Sequence, residues 1–124
     1  MDCLKEAMGQ KEGMIAFRRE LHQYPELSMQ EFETTDRIER ELNKLGLKCT
    51  RFKPTGLMAD IKGAGPGKTV ALRADIDALP MTEETGLPFA SKHEGVMHAC
   101  GHDVHAAMLL GAARVLVNHT DEFK

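Results

Sequence analysis

The sequence predicts an α/β domain in which helices pack on a mixed sheet. Apolar residues recur at helical spacing near both ends of the chain, whereas the middle contains short runs typical of strands. Helices that flank strands are characteristic of layered α/β folds. The 124 residues, of which 42% are hydrophobic and 28% charged, are enough for one globular domain with a buried core.

The composition argues against several other classes of protein. A formal net charge of −3 gives no electrostatic case for binding nucleic acid or an anionic membrane. No apolar run approaches the ~20 residues of a membrane span, and the charged N-terminus lacks the apolar core of a signal peptide. The three cysteines form no disulfide framework. We therefore expect a cytoplasmic protein without nucleic-acid or membrane partners.

The N-terminal third predicts two helices. The first spans residues 1–24, where a broken apolar stripe is ended by Pro25. The second begins with Ser28 as N-cap and Glu31 at the third helical position, the pattern of a capping box. It is expected to end at Gly46, which suits the residue just beyond a helix C-terminus.

The middle of the chain predicts three strands, at residues 48–52, 57–62 and 69–76. The third is the most apolar, so we expect it to be the most central. The glycine-rich turn at residues 63–67 has three residues between its outer glycines, where a phosphate-binding loop has four, and a strand follows it. A long polar loop at residues 80–96 follows, and loops of that length are usually functional or disordered.

The last predicted helix starts at Asp103. Its apolar positions follow helical spacing and include several small residues, which we expect to face the sheet. These positions are Val104, Ala107, Met108, Gly111, Ala112, Val115 and Leu116.

The strongest candidate site is the segment MHACGHDVHAA, residues 97–107. Cys100 and His102 are two residues apart, and alternate side chains of an extended segment point the same way. A thiolate and an imidazole that converge are good zinc ligands, and junctions between strands and helices are common ligand sites. The alternative is a nucleophilic Cys100 activated by His102 or His105.

Carboxylates lie near this segment in the predicted fold. Asp75 and Asp77 end the third strand two residues apart, where they would bind metal, hold a ligand imidazole or remain solvated charges. Asp103 is expected at the N-cap of the last helix, where it would accept backbone N–H groups or orient a ligand imidazole. Three other histidines are expected to be surface or satisfied core residues: His22, His93 and His119.

Three segments in this order, RRELHQYPELSMQEFETTDRI, LRADIDALPM and MHACGHDVHAA, resemble the N-acyl-L-amino acid amidohydrolase and hippurate hydrolase family. This family is a branch of the aminoacylase and carboxypeptidase G type dinuclear metallopeptidases. The resemblance runs from about Met14 to Leu116. It implies a partial three-layer α/β/α zinc-peptidase-like catalytic domain.

The resemblance also assigns roles to individual residues. It implies that Cys100 and His102 are metal ligands. It implies that Asp77 is the catalytic-site aspartate that orients a metal ligand. Asp75 stands where the wider group has a ligand histidine, and His105 matches a histidine usual in this branch.

The activity implied by the resemblance is metal-dependent hydrolysis of the amide bond of N-acyl amino acids. It implies two divalent ions (Zn, Mn, Ni or Co) and a small N-acylated amino acid or peptide substrate. A partial domain would leave sheet edges and a helix face uncovered, so we also expect a homo-oligomer. In this family a glutamate pair that includes the general base, further ligand histidines and a lid or dimerisation domain come later in the chain. Residues 1–124 are therefore expected to be the N-terminal part of the catalytic domain without the lid domain, and inactive or weakly active.

Two alternatives stay open at the level of sequence. The first is a non-catalytic metal-binding or interaction module that uses the cluster of Cys100 and His102 as a structural site. The second is a thiol hydrolase, whose activity would be lost on alkylation but not on chelation.

Overall fold

The computed structural model describes residues 1–124 and confirms the α/β class. Four helices and one two-stranded sheet are formed. No helix is both long and apolar enough to cross a membrane. The elements are α1 (Cys3–Gly9), α2 (Lys11–Gln23), α3 (Phe32–Lys44), β1 (Cys49–Arg51), β2 (Leu57–Ala59) and α4 (His102–Val117).

The prediction of a single helix over residues 1–24 is wrong, because the chain breaks between α1 and α2. Gln10 separates them with φ −100° and ψ 0°, and its N–H donates back to the carbonyl of Ala7. Gly9, which precedes the break, is a poor helix former and weakens the ladder there. The predicted end before Pro25 is confirmed, since α2 ends at Gln23.

The predicted cap of α3 is wrong, whereas its predicted end is confirmed. Ser28 does not cap the helix. The Glu26 carboxylate does so, accepting from the backbone N–H of Thr34 at 2.6 Å and of Glu33 at 3.2 Å. A carboxylate at this position satisfies free amides and favours the positive end of the helix dipole. At the other end Gly46 has φ 77°, the left-handed conformation that favours glycine beyond a helix.

The first two predicted strands are confirmed in shorter form. They pair antiparallel as β1 and β2, with Cys49 opposite Ala59 and Arg51 opposite Leu57. Two isolated bridges add one parallel and one antiparallel contact elsewhere, between Leu27 and Ala78 and between Leu79 and Met97.

The third predicted strand, residues 69–76, is not formed, so its prediction as the central strand is wrong. Residues 65–77 make no backbone hydrogen bond to the rest of the backbone. Val70 is 78% exposed and Leu72 59% exposed. A strand is stabilised by its hydrogen-bonded neighbours, and no other strand of these 124 residues lies beside this segment. Val70 and Leu72 therefore stay exposed, whereas Ile76 at the end of the segment is partly buried against the core.

The core lies mainly between helices. The small-residue face of α4 packs chiefly on α2 rather than on a sheet, as the close contact of Gly111 with Met14 shows. The predicted apolar face of α4 is only partly buried, since Val104 and Met108, which belong to it, are exposed. Residues of β1 and β2 pack against the edge of this core. The buried cluster consists of Phe17, Leu21, Leu42, Ala106, Ala107 and Leu110.

Candidate metal centre

His102, the first residue of α4, is held by Asp77. Its Nδ1 lies 2.9 Å from Asp77 Oδ1 and 3.1 Å from the Asp77 carbonyl oxygen. A carbonyl oxygen only accepts, so Nδ1 carries the proton and donates it to Asp77. The lone pair of Nε2 is then available to bind a metal ion, as in carboxylate–histidine–metal arrangements. The structure brings together these two residues, which the sequence predicted as an orienting aspartate and a ligand.

Cys100 lies just outside the helix on the same turn. It is an exposed free thiol, and Gly101 after it is the N-cap of α4 with φ 94°. This left-handed conformation favours glycine and lets the chain turn sharply between Cys100 and His102. The exposed ring of His105 lies with its centroid 5.4 Å from that of His102.

The other two predicted carboxylates are engaged elsewhere. Asp75 forms an exposed ion pair with Arg73, whose Nη2 lies 2.6 Å from its Oδ1. Asp103 was predicted to be the N-cap of α4, and this prediction is wrong. The N-cap is Gly101, and Asp103 is a buried residue of the first turn. Its Oδ2 accepts from Arg18 Nε at 2.7 Å and from His22 Nδ1 at 2.8 Å. Asp103 thus anchors α4 to α2 and makes no hydrogen bond to the His102 side chain.

Sequence reasoning missed His98. This residue is 5% exposed, and neither of its ring nitrogens has a hydrogen-bond partner within the chain. Burial lowers its pKa, and the nearby Asp103 carboxylate only partly offsets this effect. The His98 ring lies with its centroid 6.4 Å from that of His22. Its position two residues before Cys100 is the sequence signal that would have included it.

The other predicted surface or core histidines have partners away from this turn. His93 is exposed, and its Nδ1 lies 2.8 Å from the Pro25 carbonyl oxygen. His119 lies between the Glu6 and Glu122 carboxylates near the end of α4. The prediction for these two residues is confirmed. His22 is a core residue bonded to Asp103 through Nδ1, but its buried Nε2 has no hydrogen-bond partner, so the prediction of a satisfied histidine holds only in part.

Two side chains at the start of α4 are of the chemical types that bind zinc. Cys100 offers a thiolate, and His102 offers an imidazole with a carboxylate behind it. No group of three or more His, Cys, Asp or Glu side chains is placed to hold a metal ion. Zinc sites normally take three or four protein ligands, so this pair is an incomplete set.

This turn lies in a region that is similar to known proteins. Residues 71–124 match the profile of Peptidase family M20/M25/M40. N-acetyl-L-cysteine deacetylase of Bacillus subtilis is 58% identical over 113 residues, which are 90% of this chain and 27% of that protein. Over residues 71–124 the chain is similar to the M20/M25/M40 peptidase family. The matched residues include Asp77, Cys100 and His102.

Two further proteins show a similar degree of likeness. The N-acyl-L-amino acid amidohydrolase of Geobacillus stearothermophilus is 49% identical over 92% of this chain and 31% of that protein. A crystal structure of a Bacillus subtilis protein, described as a dinuclear metal binding peptidase of the M20 family, superposes with a TM-score of 0.88. It is 49% identical over 91% of this chain and 32% of that one. The chain thus spans about 30% of the length of its M20 relatives.

Proposed function

We propose that this chain supplies part of the metal centre of an enzyme that hydrolyses the amide bond of N-acyl amino acids. The observation that carries the proposal is the hydrogen bond from His102 Nδ1 to Asp77, which leaves Nε2 available as a ligand. The substrate class is supported by the names of the relatives, an N-acetyl-L-cysteine deacetylase and an N-acyl-L-amino acid amidohydrolase.

Each residue of the centre has a separate task in this proposal. Cys100 and His102 hold a divalent ion, and Asp77 fixes the tautomer and the ring orientation of His102. When bound, such an ion lowers the pKa of a coordinated water and polarises the amide carbonyl. A thiolate beside an imidazole favours zinc or cobalt over manganese, which prefers oxygen ligands. We therefore propose zinc as the ion that this pair prefers.

The carboxylates around the candidate centre are not free to act as the general base. Asp77 is committed to His102, Asp103 to Arg18 and His22, and Asp75 to an exposed arginine. General base catalysis requires a carboxylate within hydrogen-bond reach of the attacking water. In this proposal residues 1–124 on their own bind the metal ion and orient its histidine ligand. We expect them to turn over substrate weakly or not at all.

Self-association through the exposed segment at residues 69–76 is a second part of the proposal. An unpaired apolar segment is a template for strand pairing with another chain. Two copies paired antiparallel about Ala74 place Arg73 of each copy opposite Asp75 of the other, and the exposed Leu72 opposite Ile76, which is partly buried against the core of its own copy. Opposite charges and apolar pairs at facing positions stabilise such pairing, so we propose a second copy as the occupant.

Hydrolysis assays test the enzymatic part of the proposal. The chain is incubated with a panel of N-acetyl- and N-benzoyl-amino acids in the presence of Zn²⁺ or Mn²⁺, with and without a chelator. Variant Cys100→Ser removes the proposed ligand, and Cys3→Ser removes another exposed free thiol as a matched control. Weak turnover that both the chelator and Cys100→Ser abolish, while Cys3→Ser retains it, supports the proposal.

The other outcomes separate the alternatives. Metal binding that requires Cys100 but gives no turnover favours a metal-binding role for residues 1–124. Turnover that survives chelation but is lost on thiol alkylation contradicts the metal-dependent proposal and favours a thiol hydrolase.

A further inference from the structure

Three charged side chains and one imidazole link α2, the start of α4 and the loop at residues 80–96. Asp103 on α4 accepts from Arg18 Nε at 2.7 Å and from His22 Nδ1 at 2.8 Å, both on α2. On the other side of the imidazole, Glu83 Oε1 of the loop lies 2.9 Å from His22 Nε2. The two atoms of this last contact are close, but their geometry falls outside that of a hydrogen bond. We call Arg18, His22, Glu83 and Asp103 the buried charge chain.

Most of the buried charge chain is withdrawn from water. The side chains of His22 and Glu83 are each 3% exposed, and that of Asp103 is 1% exposed. Removing one partner from such a set leaves an uncompensated buried charge, which is strongly unfavourable. The members of the chain therefore hold one another in place, although they belong to three different segments.

Glu83 also organises the loop itself. One of its carboxylate oxygens accepts the backbone N–H of Ser91 at 2.9 Å, and the other accepts the Thr85 hydroxyl. Burial by itself raises the pKa of Glu83, but the hydrogen bonds from Thr85 and Ser91 and the contact with His22 lower it below its usual range. Glu83 is thus ionised at neutral pH.

An aromatic contact fixes the loop to the same helix residues. The ring of Phe89 lies beneath two guanidinium groups, 5.2 Å from Arg18 Cζ and 4.8 Å from Arg19 Cζ. Its centroid is 5.6 Å from that of His22, in edge-to-face geometry. Cation–π and aromatic contacts of this kind are stabilising. Arg18 and His22 therefore contact both the loop and Asp103.

We propose that the buried charge chain couples docking of the loop at residues 80–96 to the position of His102. Asp103 follows His102 in the sequence, so the contacts that hold the Asp103 carboxylate also restrain the first turn of α4 and the ligand that it carries. Arg18, His22 and Glu83 are then positioning residues of the candidate metal centre, although none is a ligand. This inference rests on the proposed function for its consequence at the metal.

Hydrogen exchange measured without metal tests the coupling directly. The amides of Val104 and His105, which both donate to the Gly101 carbonyl at 3.0 Å, report on the first turn of α4. The amide of Lys92, which donates to the Gln23 carbonyl at 2.9 Å, reports on loop docking. Glu83→Gln removes the loop charge at constant size, and Glu84→Gln changes its exposed neighbour as a matched control.

The expected result is faster exchange at both reporters in Glu83→Gln, with Glu84→Gln like the wild type. We also expect Co²⁺ to bind Glu83→Gln about 5-fold or more weakly, the lower range of allosteric couplings. Glu83→Asp, which restores the charge, should recover part of both effects, as a merely structural defect would not. Circular dichroism confirms that each variant keeps its helices.

The coupling is wrong if Glu83→Gln speeds exchange in the loop and leaves Val104, His105 and Co²⁺ affinity unchanged. A wild-type chain that binds no Co²⁺ would contradict the proposed function instead. The exchange of Val104 and His105 would still decide the coupling in that case, because it is measured without metal.

Discussion

Asp77 receives the Nδ1 proton of His102 on two oxygens at once, the side-chain Oδ1 at 2.9 Å and its own carbonyl at 3.1 Å. The carbonyl contact fixes the position of the imidazole, and the carboxylate makes the ring a better electron donor through Nε2. The backbone carbonyl and the carboxylate of Asp77 thus orient His102 so that its Nε2 is available to bind a metal ion.

Replacing the charge at Asp77 should weaken metal binding. In Asp77→Asn the side chain keeps its size, but His102 loses the carboxylate that raises its basicity, so we expect Zn²⁺ affinity to fall about 10- to 100-fold. Isothermal titration gives the affinity. Asp75→Asn, which alters only an exposed ion pair with Arg73, is the control. Equal losses in both variants would show that overall charge, and not the contact with His102, sets the affinity.

The sequence was sufficient to name Asp77 and His102 as candidate site residues, because the family resemblance points to both, but the contact between them, 25 positions apart, comes from the structure. The sequence did not predict which residues surround the site or how they contact one another. The contact of Asp103 with Arg18 joins residues that are 85 positions apart. Burial of His98 likewise depends on how α2 meets α4. No local pattern encodes either relationship.

Truncating the core should destabilise the chain. Leu21 is 1% exposed in the buried cluster, so Leu21→Ala removes packed methyl groups and leaves a cavity. The expected loss is about 2–5 kcal/mol in the free energy of unfolding. Urea denaturation followed by circular dichroism measures it. Leu4 is 74% exposed, and Leu4→Ala should change stability by about 0.5 kcal/mol or less. A comparable loss in Leu4→Ala would contradict the assignment of the core.

Stability should depend on pH through His119. Hydrogen bonds with Glu122 and Glu6 raise the pKa of His119 above its usual 6.5. A raised pKa stabilises the fold below the unfolded value, and the effect is lost as the pH rises through the folded value. His119→Gln should therefore lower the melting temperature at about pH 5.5 and have little effect at about pH 9. Thermal melts at the two pH values provide the comparison, and an equal decrease at both would rule out a contribution from protonation.

The fold was predictable where local signals act alone. Pro25, Gly46 and the helical spacing after Cys100 correctly indicated where helices end or begin. The prediction of Ser28 as the cap failed because the helix begins later, at Phe32, and its first free amides, those of Glu33 and Thr34, are bound by the carboxylate of Glu26. The strand predicted at residues 69–76 failed for a different reason. Apolar sequence favours a strand, but a strand also needs a hydrogen-bonded neighbour, and none lies beside this segment.

Self-association should respond to charge in the exposed segment. Leu72 is 59% exposed and faces Ile76 of the second copy in the proposed pairing. Leu72→Lys places a charge at this contact, so we expect the dissociation constant of the dimer to rise about 10-fold or more. Sedimentation velocity over a range of concentrations measures it, with Met8→Lys on α1 as the control, since Met8 is 59% exposed. Association that is unaffected by Leu72→Lys would show that another surface is used.

The most direct test of the metal centre is the absorption spectrum of the chain on addition of Co²⁺. A thiolate bound to Co²⁺ gives a charge-transfer band, so the wild type and Cys3→Ser should both develop it. Cys100→Ser should lack the band, and His102→Gln should require more Co²⁺ to reach it. A band of unchanged intensity in Cys100→Ser, or no band in the wild type, would contradict the assignment of Cys100 and His102 as metal ligands.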